Sequence, residues 1–410
     1  MSSDRYLQRT LPGGMTLLAE RMSGVQSAAM MLLLPAGSAT DPERRQGTAT
    51  VLSDLVLRGA GDRDSKALID HLDSLGLQRG NSVGVYHTHF TCAAVSSKVI
   101  GALGTYADII RRPILPKVGF EAARDLTIQA LAGIDDEPRQ KLLIALREHH
   151  FPAPLGRNPI GRKEDLESLT LRQCRSDHAR RYHGGGAILA VAGNIEFDTL
   201  IAQAERYFGD FDGKSPAMPE VTPLSGHRHF EEQTSEQTHI GLAYSSISEA
   251  DPDYYVMCVA IEVLGGGMSG RLFTELREKR GLVYNVSAGY AGLKGLGAIL
   301  CYAGTSNDRA QATLDCLRAE LHRLSDGITA QELERARIGL KASTIMQGES
   351  TSSRAAGIAY DYFLRGRIRT LDEIKAAIDA VTLDRINDYL RTHPPGALTV
   401  VIVGPKELTV

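Results

Sequence analysis

The residues best suited to chemistry lie between Gly265 and Tyr284: Gly265, Gly266 and Gly267 in a row, then Arg277 and, seven positions on, Tyr284. An arginine presents fixed donors to a carbonyl or carboxylate. A phenol can stabilise the oxyanion that forms when water attacks an amide. Gly265 to Gly270 formally satisfies GxGxxG, but a dinucleotide fingerprint needs a strand before it and a helix after it. Here Asp251 reads as an N-cap and Pro252 as a first helical residue, so the spacing predicts a helix over 253–264 that the glycines end. No GxxxxGK[ST] and no GxSxG occurs. The close histidine pairs are His87/His89, read as one face of a strand, His149/His150 and His227/His229. None has a third ligand at a recognisable metal spacing. The five cysteines (92, 174, 258, 301 and 316) contain no CxxC pair and read as reduced thiols of a cytosolic protein.

The elements that must position Arg277 and Tyr284 are a short helix with an apolar face at Leu272, Phe273 and Leu276, a left-handed C-cap at Gly281, and a strand from Val283. Taken alone, Arg277 reads as a solvated helix charge and Tyr284 as a half-buried strand residue. The wider chain is written twice. Met30–Leu34, Asp41-Pro42, the helical stretch Val51–Leu57 and Gly59 are answered by Ile240–Tyr244, Asp251-Pro252, Val256–Leu264 and Gly265. Asp41 and Asp251 stand 210 positions apart, as do His183 and His393. Thr170, with Gln173 completing a capping box, and Thr382 cap equivalent helices before the two last strands. The polar alternation of Val83–Phe90 reads as a β run. Helices and strands are partly segregated, which favours an α+β fold over a parallel sheet. The expected architecture is two homologous halves, each a mainly antiparallel sheet packed against helices. Their expected bounds are 1–212 and 227–410, joined by an extended Pro/Gly-rich linker at 213–226.

Composition limits the partners. Lys and Arg total 46 against 49 Asp and Glu, a net charge of −3, which argues against a nucleic-acid surface. The longest aliphatic stretch, Ala28–Leu34, is far short of the roughly 20 residues of a membrane helix. A cytoplasmic protein with no membrane span is expected.

The run LGGGMSGRLFTELREKRGLVYNV resembles the second-half signature of the pitrilysin/insulinase/mitochondrial processing peptidase family, the inverted zincins. PLGRNPIGRKEDLESLT, from Pro154 to Thr170, then Tyr182 and the strand ending Gly193-Asn194, match the first-half pattern. The likeness covers nearly the whole chain and suits the small bacterial two-subunit class. Family chemistry uses HxxEH on a helix, whose histidines share one face toward zinc, and a glutamate roughly 80 residues on. The matching stretch here is Thr50-Val51-Leu52-Ser53-Asp54, so Thr50 and Asp54 replace the histidines and Ser53 the base. The third-ligand position holds Ala130. An alanine binds no metal.

The resemblance therefore implies a non-catalytic subunit with no cofactor of its own, the zinc residing in a partner. That partner would be a homologous chain with intact HxxEH, forming a heterodimer. This chain would supply Arg277 and Tyr284 in trans for cleavage of peptides or unfolded segments. Gly265, Gly266 and Gly267 would let substrate backbone approach closely. The substrate would lie as an added strand on a sheet edge. The alternative is a structural or peptide-binding protein of the same fold, for instance a homodimer, with no protease role.

Overall fold

A computed structural model describes residues 5–218, 221 and 227–410. The segment read as a linker therefore lies partly outside the described residues, which omit 219–220 and 222–226. Its first residues are tied down: the Gly185 amide donates to the Gly213 carbonyl at 3.1 Å, and Ser215 Oγ donates to the Gly185 carbonyl at 3.2 Å.

Two larger sheets carry the fold. The first contains Tyr6–Thr10 (β1), Thr16–Arg21 (β2), Ser27–Leu34 (β3), Gln78–Val83 (β4), Thr88–Val95 (β5) and Ile188–Gly193 (β6), in the order β1-β2-β6-β3-β5-β4. The second contains Arg228–Glu232 (β7), Gln237–Ser246 (β8), Val283–Leu293 (β9), Leu296–Ser306 (β10) and Thr399–Gly404 (β11), in the order β9-β10-β8-β11-β7. Each sheet has one parallel pair, β2 with β6 and β11 with β7, and is otherwise antiparallel. The helices that pack on them or lead to the site are, in chain order, Thr48–Leu55 (α1), Ser96–Arg111 (α2), Lys117–Gly133 (α3), Pro138–His150 (α4), Leu171–Arg181 (α5), Phe197–Phe208 (α6), Tyr254–Gly265 (α7), Ala310–Leu324 (α8), Ala330–Glu349 (α9), Thr351–Arg365 (α10) and Leu383–Thr392 (α11).

The chain divides into two compact units, and neither is one continuous stretch. The first comprises 1–133, 153–221 and 348–362; the second comprises 134–152, 222–347 and 363–410. The boundary read at 213–226 separates two halves of sequence, whereas each unit takes one segment from across it. In the second unit that segment is α4. Leu142 and Leu146 join Ala243, Tyr302, Val401 and Val403 in an apolar cluster. Gly241 makes the approach possible, because a Cβ there would meet Leu142 Cδ2 at 2.7 Å. In the first unit the borrowed segment is most of α10, and its link is ionic: Arg354 Nε donates to Glu20 Oε2 of β2 at 2.7 Å, both side chains buried.

Three local expectations change. Val83–Phe90 is not one continuous strand: β4 ends at Val83 and β5 begins at Thr88, and between them Gly84, Val85 and Tyr86 turn aside to accept hydrogen bonds from Ser38, Ala39 and Gly37. His87 therefore stands in the turn and only His89 in β5. Asp251 does not cap α7. Its carboxylate accepts from the Asp253 amide at 2.8 Å, Asp253 is the N-cap, and Pro252 precedes the helix. The segment Phe273–Lys279 is wound as a π-helix, with Leu276 buried and Phe273 half-buried. The capping box at Thr170 and Gln173 and the cap at Thr382 form as expected.

Candidate functional site

The first unit brings the four positions matching HxxEH and its distant glutamate onto two packed helices, α1 and α3. An oriented acid builds α1: Asp41 accepts from the amides of Gly47 at 2.8 Å and Ala49 at 3.0 Å, which satisfies donors of the first turn. Gly47 itself has φ +94° and abuts the Ile160 carbonyl, so only glycine fits. Every side chain at these positions is occupied internally. Thr50 Oγ1 donates to the Pro159 carbonyl at 2.5 Å, and Ser53 Oγ donates to the Thr50 carbonyl at 2.9 Å. Asp54 holds the Arg58 guanidinium at 2.7 Å and 2.8 Å. Ala130 is exposed and offers no donor atom.

A zinc ion does not fit this set. One hydroxyl is already committed to a carbonyl, the one carboxylate is paired with an arginine, and the third position has no ligand atom. Among the described residues, no group of three or more His, Cys, Asp or Glu is arranged to hold a metal. The histidine pairs are dispersed into other roles. His149 stacks on His229 with ring centroids 4.3 Å apart, and His150 Nδ1 lies 3.0 Å from Thr399 Oγ1.

Sequence reading missed the residues that tie the edge strand β4 to this site. Asn81 Nδ2 donates to both the carbonyl and Oγ of Ser53, at 3.1 and 3.2 Å. Next to it, Ser82 pairs across the ladder with His89. The His89 ring lies between Ser82 Oγ and the Tyr360 hydroxyl, 3.2 Å from each. Burial pushes this histidine down to about 4, so it is neutral near pH 7. A Cβ on Gly84 would strike the same ring at 2.9 Å. No motif announces these contacts, because they depend on strand register.

The second unit holds Arg277 and Tyr284 differently. The run supplies three nearby cations, but Lys279 and Arg280 are both spent on Glu275, at 2.8 and 2.6 Å. These partners hold the Glu275 carboxyl below its ordinary range. Arg277 is exposed, lies over the Phe273 ring at 4.9 Å, and has no ion pair among the described residues. Gly281, at φ +58°, then turns the chain: its amide donates to the Arg277 carbonyl at 3.1 Å, and the Leu282 amide to Leu276 at 2.7 Å. The edge strand β9 begins directly afterwards.

In β9, Val283 pairs with Thr305 and Asn285 with Gly304, so Tyr284 is the extra residue of a β-bulge. A bulge re-aims its side chain. Tyr284 is 63% exposed, and its hydroxyl has no hydrogen-bond partner among the described residues.

The three glycines divide by packing. A Cβ on Gly265 would meet the Ala288 amide of β9 at 2.7 Å, and one on Gly266 would meet the Glu262 carbonyl at 2.3 Å. Internal contact therefore demands both. Only Gly267, at φ +68°, has open space around it. The segment ends α7 instead of following a strand, which removes the nucleotide fingerprint.

Comparison with known proteins gives one answer over most of the chain. A profile described as insulinase (peptidase family M16) matches residues 16–161, and one described as peptidase M16 inactive domain matches 168–340. An "uncharacterized zinc protease" of Mycobacterium tuberculosis is 27% identical over 410 residues, covering 97% of this chain and 92% of that protein. The crystal structure of a peptidase M16 inactive domain from Pseudomonas fluorescens superposes with a TM-score of 0.90 at 21% identity, covering 99% of both chains. A chain of complex III2 from Candida albicans shares the fold at TM-score 0.83 and 17% identity, covering 97% of this chain and 96% of that one. Among the described residues, no helix is long and apolar enough to cross a membrane.

Proposed function

We propose, for a chain that belongs to the insulinase family (peptidase family M16), the role of a non-catalytic subunit that lends Arg277 and Tyr284 to the zinc site of a homologous partner. One observation carries the reading. On a single helix-turn-strand unit, the cation left over from Glu275 is followed by a bulged, exposed phenol with no internal partner. The positions matching the zinc ligands, by contrast, are filled by bonds within the chain.

In this role Arg277 would bind a substrate carbonyl or carboxylate. The Tyr284 hydroxyl would donate to the oxyanion formed as the partner's activated water attacks a peptide bond. Zinc would be held by the partner's HxxEH and would activate that water. The substrate class is peptides or unfolded segments.

The test mixes this chain with a homologous chain bearing HxxEH and follows cleavage of an unstructured peptide. Tyr284→Phe is expected to lower kcat about a hundredfold with KM little changed, the size of effect seen when one oxyanion donor is lost. Arg277→Ala should raise KM as well, and Thr50→Ala should change nothing. Undiminished cleavage by both site variants, or cleavage and one equivalent of zinc in this chain alone, would overturn the proposal. The shared fold of a complex III2 chain favours the second reading, a structural or peptide-binding protein without protease function. It predicts peptide binding with no cleavage in any mixture.

A further inference from the structure

The two units treat one equivalent location in opposite ways. Thr170 and Thr382 cap α5 and α11 through the same geometry, each accepting from the amide three residues on. Counted from these caps, at an offset of 212 instead of the 210 that pairs His183 with His393, Asp177 and Arg181 stand where the second helix has Tyr389 and His393. In the first unit, Arg181 is fully buried, bridges Asp41 and Asp177, and donates to the carbonyls of Ala36 and Gly37. The space is filled by charge. In the second unit the pair holds neither a carboxylate nor a guanidinium, and the His393 ring stacks on Tyr389 with centroids 4.4 Å apart. Asp251, the counterpart of Asp41, is spent on its own turn. The space beside α11 is left as a cavity of about 230 Å³.

Its walls are specific. β8 contributes Tyr244 and Ser246, α7 contributes Met257 and Ala260, and α11 contributes Tyr389 and His393. No Lys, Arg, Asp or Glu lines it. The floor is buried, while His393 is exposed and half-buried Ser325 stands at the end of α8, giving an accessible mouth. Tyr244 is only 7% exposed, yet its hydroxyl has no hydrogen-bond partner among the described residues. The hydroxyl oxygen itself is not sealed off, so it opens on the cavity. His393 Nδ1 lies 3.0 Å from Thr392 Oγ1 and 3.1 Å from the Tyr389 carbonyl.

We propose that this cavity is a binding site for a small uncharged aromatic molecule carrying one N–H or O–H donor. Size supports this, because an apolar cavity of about 150 Å³ already takes benzene. Shape and chemistry agree. Two phenols, an imidazole and a thioether offer aromatic and sulfur contacts. The Tyr244 oxygen supplies an acceptor for the donor, and no Lys, Arg, Asp or Glu of the lining offers a counter-ion to a charged ligand. The site is independent of Arg277, Tyr284 and any partner chain.

Indole is a suitable probe, because the chain contains no tryptophan and indole emission is read against tyrosine alone. Titration with the full chain should give a saturable blue shift with Kd on the order of 100 µM, reasonable for so small a ligand. Ala260→Leu, which fills the cavity, should weaken binding at least tenfold, and Ser325→Tyr at the mouth should do the same without touching the floor. Tyr244→Phe should weaken indole about fivefold and leave naphthalene, which has no donor, unchanged. Far-UV circular dichroism and urea midpoints establish that each variant is folded. If Ala260→Leu does not fold, the other two variants decide. No saturation in the wild type, unchanged affinity in Ser325→Tyr, or equal losses of indole and naphthalene in Tyr244→Phe would overturn the assignment.

Discussion

The helix of the first unit that matches HxxEH and the Arg277–Tyr284 segment of the second both carry polar residues, yet they use them oppositely. Thr50, Ser53 and Asp54 turn their polar atoms onto a carbonyl of a neighbouring loop, a carbonyl one turn back and Arg58. Arg277 and Tyr284 are left facing solvent while their neighbours Lys279, Arg280 and Glu275 neutralise one another. The difference teaches that exposure of a polar side chain is informative only beside the bonds its neighbours make. A spent group stabilises; an unspent one is available to a ligand.

The strongest way to break the comparison is to remove the charge that fills the first unit. Arg181→Ala leaves Asp41 and Asp177 buried without their shared guanidinium. It should cost about 3–5 kcal/mol in a urea melt, the range for breaking a buried pair. A loss under about 1 kcal/mol would mean water replaces the guanidinium. Next in size is Leu142→Ala on α4, a large-to-small change in the apolar cluster on the second sheet. It should cost about 2–4 kcal/mol and be felt in the second unit's melt alone.

Acidity should separate the units further. Burial pushes the Asp41 carboxyl up to about 6, since one arginine is shared with Asp177. A carboxyl with a raised folded pKa adds stability that is complete below about pH 4 and gone above about pH 6. Glu332 behaves in the other sense. Burial alone would raise it, but Arg271 and the Thr329 amide hold it down to about 2. Its contribution is present above about pH 4.5 and is lost as pH falls toward 2. Because neutral His89 in the first unit loses stability over the same acid range, the Asp41 contribution is read from methyl signals in urea as the difference between wild type and Asp41→Asn, which should grow on acidification, while the difference between wild type and Glu332→Gln should shrink.

The smallest expected effect sharpens the comparison most. Tyr284→Phe and Asp54→Ala should each change the urea midpoint by no more than about 0.5 kcal/mol, since one hydroxyl is unpaired and the other carboxylate is in a partly exposed i,i+4 pair. Only the first is expected to affect cleavage in the mixed-chain assay.

Much of this architecture was legible in the chain. The duplication, the alternation of strands and helices, the caps at Thr170 and Thr382 and the turn at Gly281 all follow from local spacing and local hydrogen bonding. So does the loss of both histidines at Thr50 and Asp54 and of any ligand atom at Ala130, because chemistry is written in residue type. Other features were not legible. Val83–Phe90 alternates like one strand, and only the bonding of Gly84, Val85 and Tyr86 to Ser38, Ala39 and Gly37 breaks it into two strands joined by a turn. Whether Gly265 and Gly266 serve a ligand or packing depends on Ala288 and Glu262.

By itself, then, the sequence determined the repeated fold and the residue types at each candidate position. Tertiary structure decided which of those residues are free. It fixed the bulge that turns Tyr284 outward, the pairing of Glu275 that releases Arg277, the exchange of α4 and most of α10 between units, and the empty space beside Tyr389. The reason is physical: propensities and caps act over a few residues, whereas register, burial and the partners of a charge are set by chain segments hundreds of positions apart.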